Sequence, residues 1–428
     1  MHDSFYIDDN SRVIAFSYHK GFRVFFPQEI ILLDYNSSNW ADLPKKLEEL
    51  KRKIPKPRNK LTRDEEGKRF FLTVQLTTDC NLKCDYCYLH GINAEWPDFN
   101  NRLPSKNLTK HIITTLREKN IAGFNKFYVN FFGGEPLLFK DTLQSITKAL
   151  RNFELENNIS ITIGVTTNGT LLDDSFLSFC LSSNINILLS LDSPPELQNK
   201  YRAHHNKFAS FHDILKRIHK AIESISIVCT MTKQTSSIRS SLKHILNLHP
   251  KKVSFNFVHT KNKELALDAN DATRFCEEIL REEKWFAKYA NKIGNISDIH
   301  AMIEKRSYKD IPCDAGNTAI TISSNGLLYF CHGCTGRKEF KLNHDGTLHK
   351  DTQKILAQAT SSYDHCNTCW ARWACGGDCW LIRTEFPQED RLVRCKIIKA
   401  LTRLGLATFI PNKNCNQQFS RVKNDDVI

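Results

Sequence analysis

Six short runs of apolar residues, rich in β-branched and aromatic side chains, recur along the chain at 70–76, 127–132, 159–166, 185–191, 225–231 and 253–258. Stretches of helical period separate them. Phe211, Ile214, Leu215, Ile218 and Ile222, for instance, are spaced to fill one helix face. Strands that alternate with helices form a parallel sheet of right-handed βαβ units with helices packed on it. Six units are fewer than the eight that close a β/α barrel, and in such folds the chemistry sits on loops at the C-terminal ends of the strands. The residues that follow each strand are therefore the ones to read.

After the first strand comes Thr77-Thr78-Asp79-Cys80-Asn81-Leu82-Lys83-Cys84-Asp85-Tyr86-Cys87-Tyr88. Three thiolates spaced x3 and x2 suit three irons of a cubane cluster. With no fourth cysteine close by, one iron stays open to a small molecule, as a reactive metal site requires. A zinc loop or a set of buried thiols is compatible with the same spacing. After the second strand, Gly133-Gly134-Glu135-Pro136 lets backbone approach a ligand and offers a carboxylate to an ammonium group, or makes a plain strand-to-helix turn. Thr166-Thr167-Asn168-Gly169-Thr170 follows the third strand, Ser190 and Asp192 end the fourth, and Arg202 lies ten residues further on. Ligand contact and loop capping both suit these polar groups.

A second cysteine pattern begins beyond residue 305: Cys313, Cys331, Cys334, Cys366, Cys369, Cys375, Cys379 and Cys395. Taken alone, its Cys-x2-Cys and Cys-x3-Cys pieces also suit zinc. Cys180, Cys229, Cys276 and Cys415 fall outside both patterns and read as core thiols. Fifteen cysteines with no legible export signal point to metal in a reducing compartment, so a cytoplasmic setting is expected. No apolar run approaches the ~18 residues of a membrane span. The net charge of +13 is concentrated between Lys45 and Arg63, where Pro55 and Pro57 interrupt the run. It reads as a solvated linker whose charge would also steer an acidic peptide. At 428 residues the chain suggests two or three domains.

The first cysteine loop, with Tyr86 just before its third cysteine, resembles the signature of the radical S-adenosylmethionine (SAM) enzymes. The second pattern resembles that of the SPASM extension. The likeness runs from residue 70 to about 400. It implies an α/β fold in which a partial (β/α)6 barrel precedes a small cysteine-rich domain. The expected divisions are 1–68 for an N-terminal segment and basic linker, 69–300 for the barrel, 301–410 for the SPASM domain and 411–428 for a tail. In the family the open iron chelates SAM, and an electron from the cluster splits SAM to a 5′-deoxyadenosyl radical that abstracts hydrogen from substrate. Carried over residue by residue, Cys80, Cys84 and Cys87 hold that cluster. Tyr86, Gly133, Gly134, Glu135, Thr167, Asn168, Ser190, Asp192 and Arg202 would surround SAM. Cys366, Cys369, Cys375 and Cys395 would bind an outer auxiliary cluster, and Cys313, Cys331 and Cys379 an inner one, three 4Fe–4S clusters in all. Cys334 is the expected fourth inner ligand; an open iron is the alternative.

The resemblance implies oxidative modification of a ribosomally made precursor peptide, by a carbon–carbon (cyclophane) or thioether link, with flavodoxin or ferredoxin as electron donor. Sulfatase maturation, which makes formylglycine, is the alternative, but that subfamily places an aspartate base after the second SPASM cysteine, where this chain has His332. His332 is itself a candidate base. An RNA-modifying enzyme would be favoured by the positive charge, yet no RNA-binding module is apparent.

Overall fold

The computed structural model describes residues 5–7, 13–18, 21–27, 31–35, 41, 43–53, 69–89, 102–204, 210–305, 313–344, 346–350, 352–353, 366 and 368–410. Its centre is an eight-stranded sheet. Six of the strands, β5 (Arg69–Thr77), β6 (Lys126–Gly133), β7 (Ser160–Thr167), β8 (Ile185–Ser190), β9 (Ser226–Met231) and β10 (Lys252–Phe257), are parallel and neighbour one another in chain order. These are the six expected strands. Each alternates with period two. On β6, Phe127, Val129 and Phe131 are buried against the helix layer, so Tyr128, Asn130 and Phe132 point to the opposite, concave face. Helices fill the gaps as the periodicity requires: Phe211, Ile214 and Ile218 are buried on the helix Phe211–Ile218, while Ile222 belongs to the following 3-10 turn.

Two more strands extend the sheet beyond the six units. β11 (Ala319–Ser323) pairs parallel with β5, and β12 (Leu328–Tyr329) turns back antiparallel on it, giving the order β10-β9-β8-β7-β6-β5-β11-β12. The cysteine-rich region is therefore continuous with the barrel sheet through the edge that β5 would otherwise expose.

The N-terminal segment forms its own antiparallel meander: β1 (Phe5–Ile7), β2 (Ile14–Tyr18), β3 (Gly21–Phe26) and β4 (Ile31–Tyr35). One face, with Phe22, Val24 and Leu33, packs on Leu43 and Leu47 of the helix Leu43–Lys53. The other, with Ile14, Phe16 and Phe25, packs on Met302, Trp370 and Leu406. Arg23, 1% exposed, fastens that second face. Its guanidinium donates to Asp34 (2.6 and 2.7 Å) and to the carbonyls of Leu406, Ala407 and Phe409 (2.9, 3.2 and 2.7 Å) at the end of the helix Gln388–Thr408. Positive charge is favoured at a helix C-terminus, where carbonyls lack partners. The segment thus docks on residues from 302 onward.

One expectation is corrected here. The start of the basic run is not linker, because Lys45–Lys53 lie in the helix Leu43–Lys53, whose Leu43 and Leu47 are buried; residues 54–68 lie outside the described residues. The helix Gly294–Lys305 spans residue 300 and packs on the helix Gln388–Thr408.

Candidate active site

The cysteine loop leaves the C-terminal end of β5 and is pinned from two sides. Gly134 N–H donates to Thr77 O and Glu135 N–H to Asp79 O, both at 2.8 Å. These approaches need glycine: a Cβ on Gly134 would lie 2.0 Å from Asp79 O, and one on Gly133 (φ +140°) 2.2 Å from Thr77 O. The expected close approach of this Gly-Gly turn is therefore to the cysteine loop itself. On the far side Lys83 N–H and Asp85 N–H donate to Ala203 O (2.9 Å) and Tyr201 O (3.0 Å), and Leu82 is fully buried. The thiols of Cys80, Cys84 and Cys87 lie within electrostatic reach of one another. Burial pushes Cys80 up to about 11 and Cys84 up to about 12, so both are protonated at neutral pH until a metal displaces the proton.

Glu135 follows the two glycines and has no exposed surface; its carboxylate accepts hydrogen bonds from Leu137 N–H (3.0 Å), Thr167 Oγ1–H (2.7 Å) and Asn168 N–H (2.8 Å). Burial raises its pKa while these donors oppose the rise. The carboxylate ties the β6 loop to the β7 loop and lies within electrostatic reach of Cys80. Asn168 extends the tie, donating from Nδ2 to Asn81 Oδ1 (2.9 Å) and to Cys80 Sγ (3.7 Å).

A second network joins the loop to the rim of β8 and β9. Tyr86 O–H donates to Asp192 Oδ2, Arg202 Nη1 donates to Tyr86 Oη (2.9 Å), and Thr230 N–H donates to Asp192 Oδ1 (2.7 Å). Burial raises the Asp192 pKa. Burial also works against the Arg202 charge, but Tyr86, Cys84 and Asp192 outweigh it and the pKa rises. Ser190 ends β8 half-buried beside this network. The sequence does not single out Asn81, Gln198, Ser210 or Thr230. Gln198 Oε1 accepts from Asp192 N–H (2.8 Å), and Gln198 Nε2 donates to Ser210 Oγ (2.8 Å). Nothing in their local pattern distinguishes them from ordinary loop and helix polar residues.

The C-terminal cysteines fall into two sets. Cys366, Cys369, Cys375 and Cys395 line one cavity. Cys313, Cys331, Cys334 and Cys379 form the other: Cys331 Sγ and Cys334 Sγ are 3.4 Å apart, Cys379 is within reach of both, and Cys313 is within reach of Cys331 and Cys379. Burial pushes Cys313 and Cys375 up to about 11 and Cys395 to about 12; for Cys375 a hydrogen bond from the Gly377 backbone opposes the rise. Between Cys331 and Cys334 one proton is shared: it stays on Cys334, and the hydrogen bond lowers Cys331. Among the described residues no three His, Cys, Asp or Glu side chains converge as a single ion requires.

Between the barrel cysteines and the inner set stand three rings. His332 packs on Phe132 (centroids 4.8 Å apart) and faces Tyr88 (6.1 Å). Tyr88 is 37% exposed and lies within reach of Cys87, Cys331 and Cys334. Both Tyr88 and His332 keep accessible surface, and desolvation by the surrounding protein lowers the His332 pKa.

Comparison with known proteins agrees with this geometry. Residues 74–238 match the Radical SAM superfamily. The chain is 24% identical over 375 residues to the radical SAM cyclopropyl synthase TigE of Paramaledivibacter caminithermalis, covering 81% of this chain and 72% of the relative. It is 29% identical over 190 residues to a cysteine-type anaerobic sulfatase-maturating enzyme of Clostridium novyi, covering 42% of this chain and 48% of that protein. The fold matches anSMEcpe with bound AdoMet and Cp18Cys peptide at a TM-score of 0.64 and 17% identity, over 79% of this chain and 99% of that one. Among the described residues no helix is long and apolar enough to cross a membrane. With the cysteine loop at the end of the first barrel strand, these likenesses identify residues 74–238 as a radical SAM domain, which implies a 4Fe–4S cluster and SAM, and the chain as an enzyme.

Proposed function

We propose that the enzyme matures a ribosomally synthesised precursor peptide by installing a carbon–carbon (cyclophane) or thioether cross-link. The observation that carries this reading is His332 in the place where a carboxylate base would mark formylglycine formation. It lies against Phe132 and Tyr88, and Tyr88 is within electrostatic reach of Cys87 in the barrel loop and of Cys331 and Cys334 in the inner set. In this reading Cys80, Cys84 and Cys87 hold the SAM cluster, and the Gly133-Gly134 turn, Tyr86, Thr167, Asn168, Ser190, Asp192 and Arg202 form the SAM cradle. Glu135 belongs to the same cradle, and its carboxylate also ties the β6 and β7 loops together. Cys366, Cys369, Cys375 and Cys395 are assigned to an outer auxiliary cluster, and Cys313, Cys331, Cys334 and Cys379 to an inner one. The division at residues 69–300 and 301–410 is kept for the barrel and SPASM parts, with the helix Gly294–Lys305 shared between them.

Bound in these places, the clusters and SAM supply one-electron chemistry that the side chains cannot. The protein's part is to orient them and the peptide, to exclude water, and to offer His332 Nδ1 or Nε2 as a proton acceptor. Its lowered pKa leaves the ring neutral and able to accept. A flavodoxin or ferredoxin as electron donor and a cytoplasmic setting complete the reading; a nucleic-acid substrate is not part of it.

Sulfatase maturation is the second reading, supported by the likeness to cysteine-type anaerobic sulfatase-maturating enzymes. One experiment separates them. Anaerobically reconstituted enzyme is incubated with SAM, dithionite and, in parallel, a sulfatase-derived Cys peptide and short peptides encoded beside its gene. A cross-link removes two hydrogens and leaves no aldehyde, whereas formylglycine yields an aldehyde that a hydrazide traps. Aldehyde from the sulfatase peptide, with every neighbouring peptide unchanged, would overturn the cross-linking assignment.

A further inference from the structure

The cavity lined by Cys366, Cys369, Cys375 and Cys395 is also lined by Arg372, Arg391 and Lys399; among its described lining residues there is a single carboxylate, Asp378. Asp378 is 7% exposed and takes a left-handed backbone (φ +60°) after Gly376 and Gly377, which also have positive φ. That turn places its Oδ1 to accept from Cys379 N–H at 2.9 Å. Arg394, the residue before Cys395, holds the same carboxylate through Nε (3.3 and 3.4 Å) and Nη2 (3.3 Å). Its remaining nitrogen, Nη1, donates to Phe257 O (3.4 Å) at the C-terminal end of β10. The ion pair thus stands where the two cysteine sets and the barrel meet. The carboxylate lies within electrostatic reach of Cys366, Cys375 and Cys395 in the outer set and of Cys379 in the inner.

A fixed negative charge beside an iron–sulfur cluster favours the oxidised state, which carries less negative charge, and its effect is large where solvent is excluded. We propose that Asp378, held by Arg394, sets the reduction potentials of the two auxiliary centres apart, depressing the outer one more than the inner. The inference rests on the assignment of two auxiliary clusters made above. Asp378 acts on potential and is not placed among the ligands.

The test is a potentiometric titration of the reconstituted full-length enzyme, followed by electron paramagnetic resonance, in wild type, D378N, R394Q and R394K. D378N moves the outer potential up, and moves it further than the inner one. R394Q leaves the carboxylate uncompensated and moves the outer potential down, while R394K stays near wild type. Opposite signs distinguish tuning from simple loosening, which would shift both variants the same way. Equal or absent shifts in D378N at full iron content overturn the inference, as does a larger shift at the inner centre. If D378N loses iron, R394Q decides alone: a downward shift supports the inference and none defeats it. Wild-type enzyme that binds only about four irons, the content of one cubane cluster, removes the underlying assignment instead.

Discussion

Gly134→Ala is a severe perturbation on a small scale, and its size follows from the distances. The new Cβ would sit 2.0 Å from Asp79 O, 2.5 Å from Asp79 C and 2.5 Å from Thr78 O. All three are backbone atoms, so no rotamer change relieves the contact. Ordinary van der Waals contact begins near 3.4 Å, so the cysteine loop and the β6 turn must separate by roughly 1.4 Å. That movement breaks the bonds from Gly134 N–H to Thr77 O and from Glu135 N–H to Asp79 O. Overpacking costs about 1–3 kcal/mol and each lost bond about 1 kcal/mol, giving a local loss of roughly 3–5 kcal/mol. Cys80 lies one residue from Asp79, and metal ligands tolerate displacements of only ~0.2 Å. The variant should therefore lose most of the SAM-cluster iron while the auxiliary clusters stay loaded. The assay is iron and sulfide content with paramagnetic resonance after anaerobic reconstitution, beside hydrogen exchange over residues 77–89. Gly164→Ala is the control: its Cβ meets the side-chain oxygen of Asn130 at 2.9 Å, which can swing away, and it should load normally. Full SAM-cluster loading of Gly134→Ala, with exchange unchanged, would refute the claim that the Gly-Gly turn positions the cysteine loop.

Other perturbations test other joints of the molecule. Arg23→Met removes a buried guanidinium from Asp34 and three carbonyls, and should weaken docking of the N-terminal sheet by about 3–5 kcal/mol; limited proteolysis should cut residues 13–35 while the barrel survives. Burial, with Arg394 nearby, holds His259 down to about 3. A histidine with a depressed folded-state pKa contributes stability above its unfolded value near 6.5 that is lost as pH falls. The unfolding free energy should therefore drop from pH 6.5 towards 4 by up to about 1.4 kcal/mol per pH unit, read as a falling melting temperature, and His259→Asn should flatten that slope. Asp192→Asn replaces an acceptor of both Tyr86 O–H and Thr230 N–H with a group that can accept through one atom only. It should weaken SAM binding about tenfold or more, ~1.4 kcal/mol, at unchanged iron content, as read by equilibrium dialysis.

The barrel strands and the cysteine sets were legible in the sequence because their signals are local. Alternation on β6, with Phe127, Val129 and Phe131 buried, repeats every two residues whatever the rest of the chain does. The spacing of Cys80, Cys84 and Cys87 likewise belongs to one loop. The helix face of Phe211, Ile214 and Ile218 comes from a period of 3.6 residues within eight. What the tertiary structure decided are the partners of polar groups, and those come from distant parts of the chain. Arg23 meets carbonyls more than 380 residues away. Tyr86 meets Asp192 and Arg202 across more than 100 residues. Glu135 reads in the sequence as a carboxylate for an ammonium group, and the β7 loop brings Thr167 and Asn168 to it as further partners. β11 reaches the edge of β5 only once the cysteine-rich region folds back on the barrel. Side-chain periodicity records which face of an element avoids water, so it carries strands, helices and their order. It carries no information about which donor meets which acceptor, because a buried polar group is satisfied by whatever the packing of whole elements brings within reach.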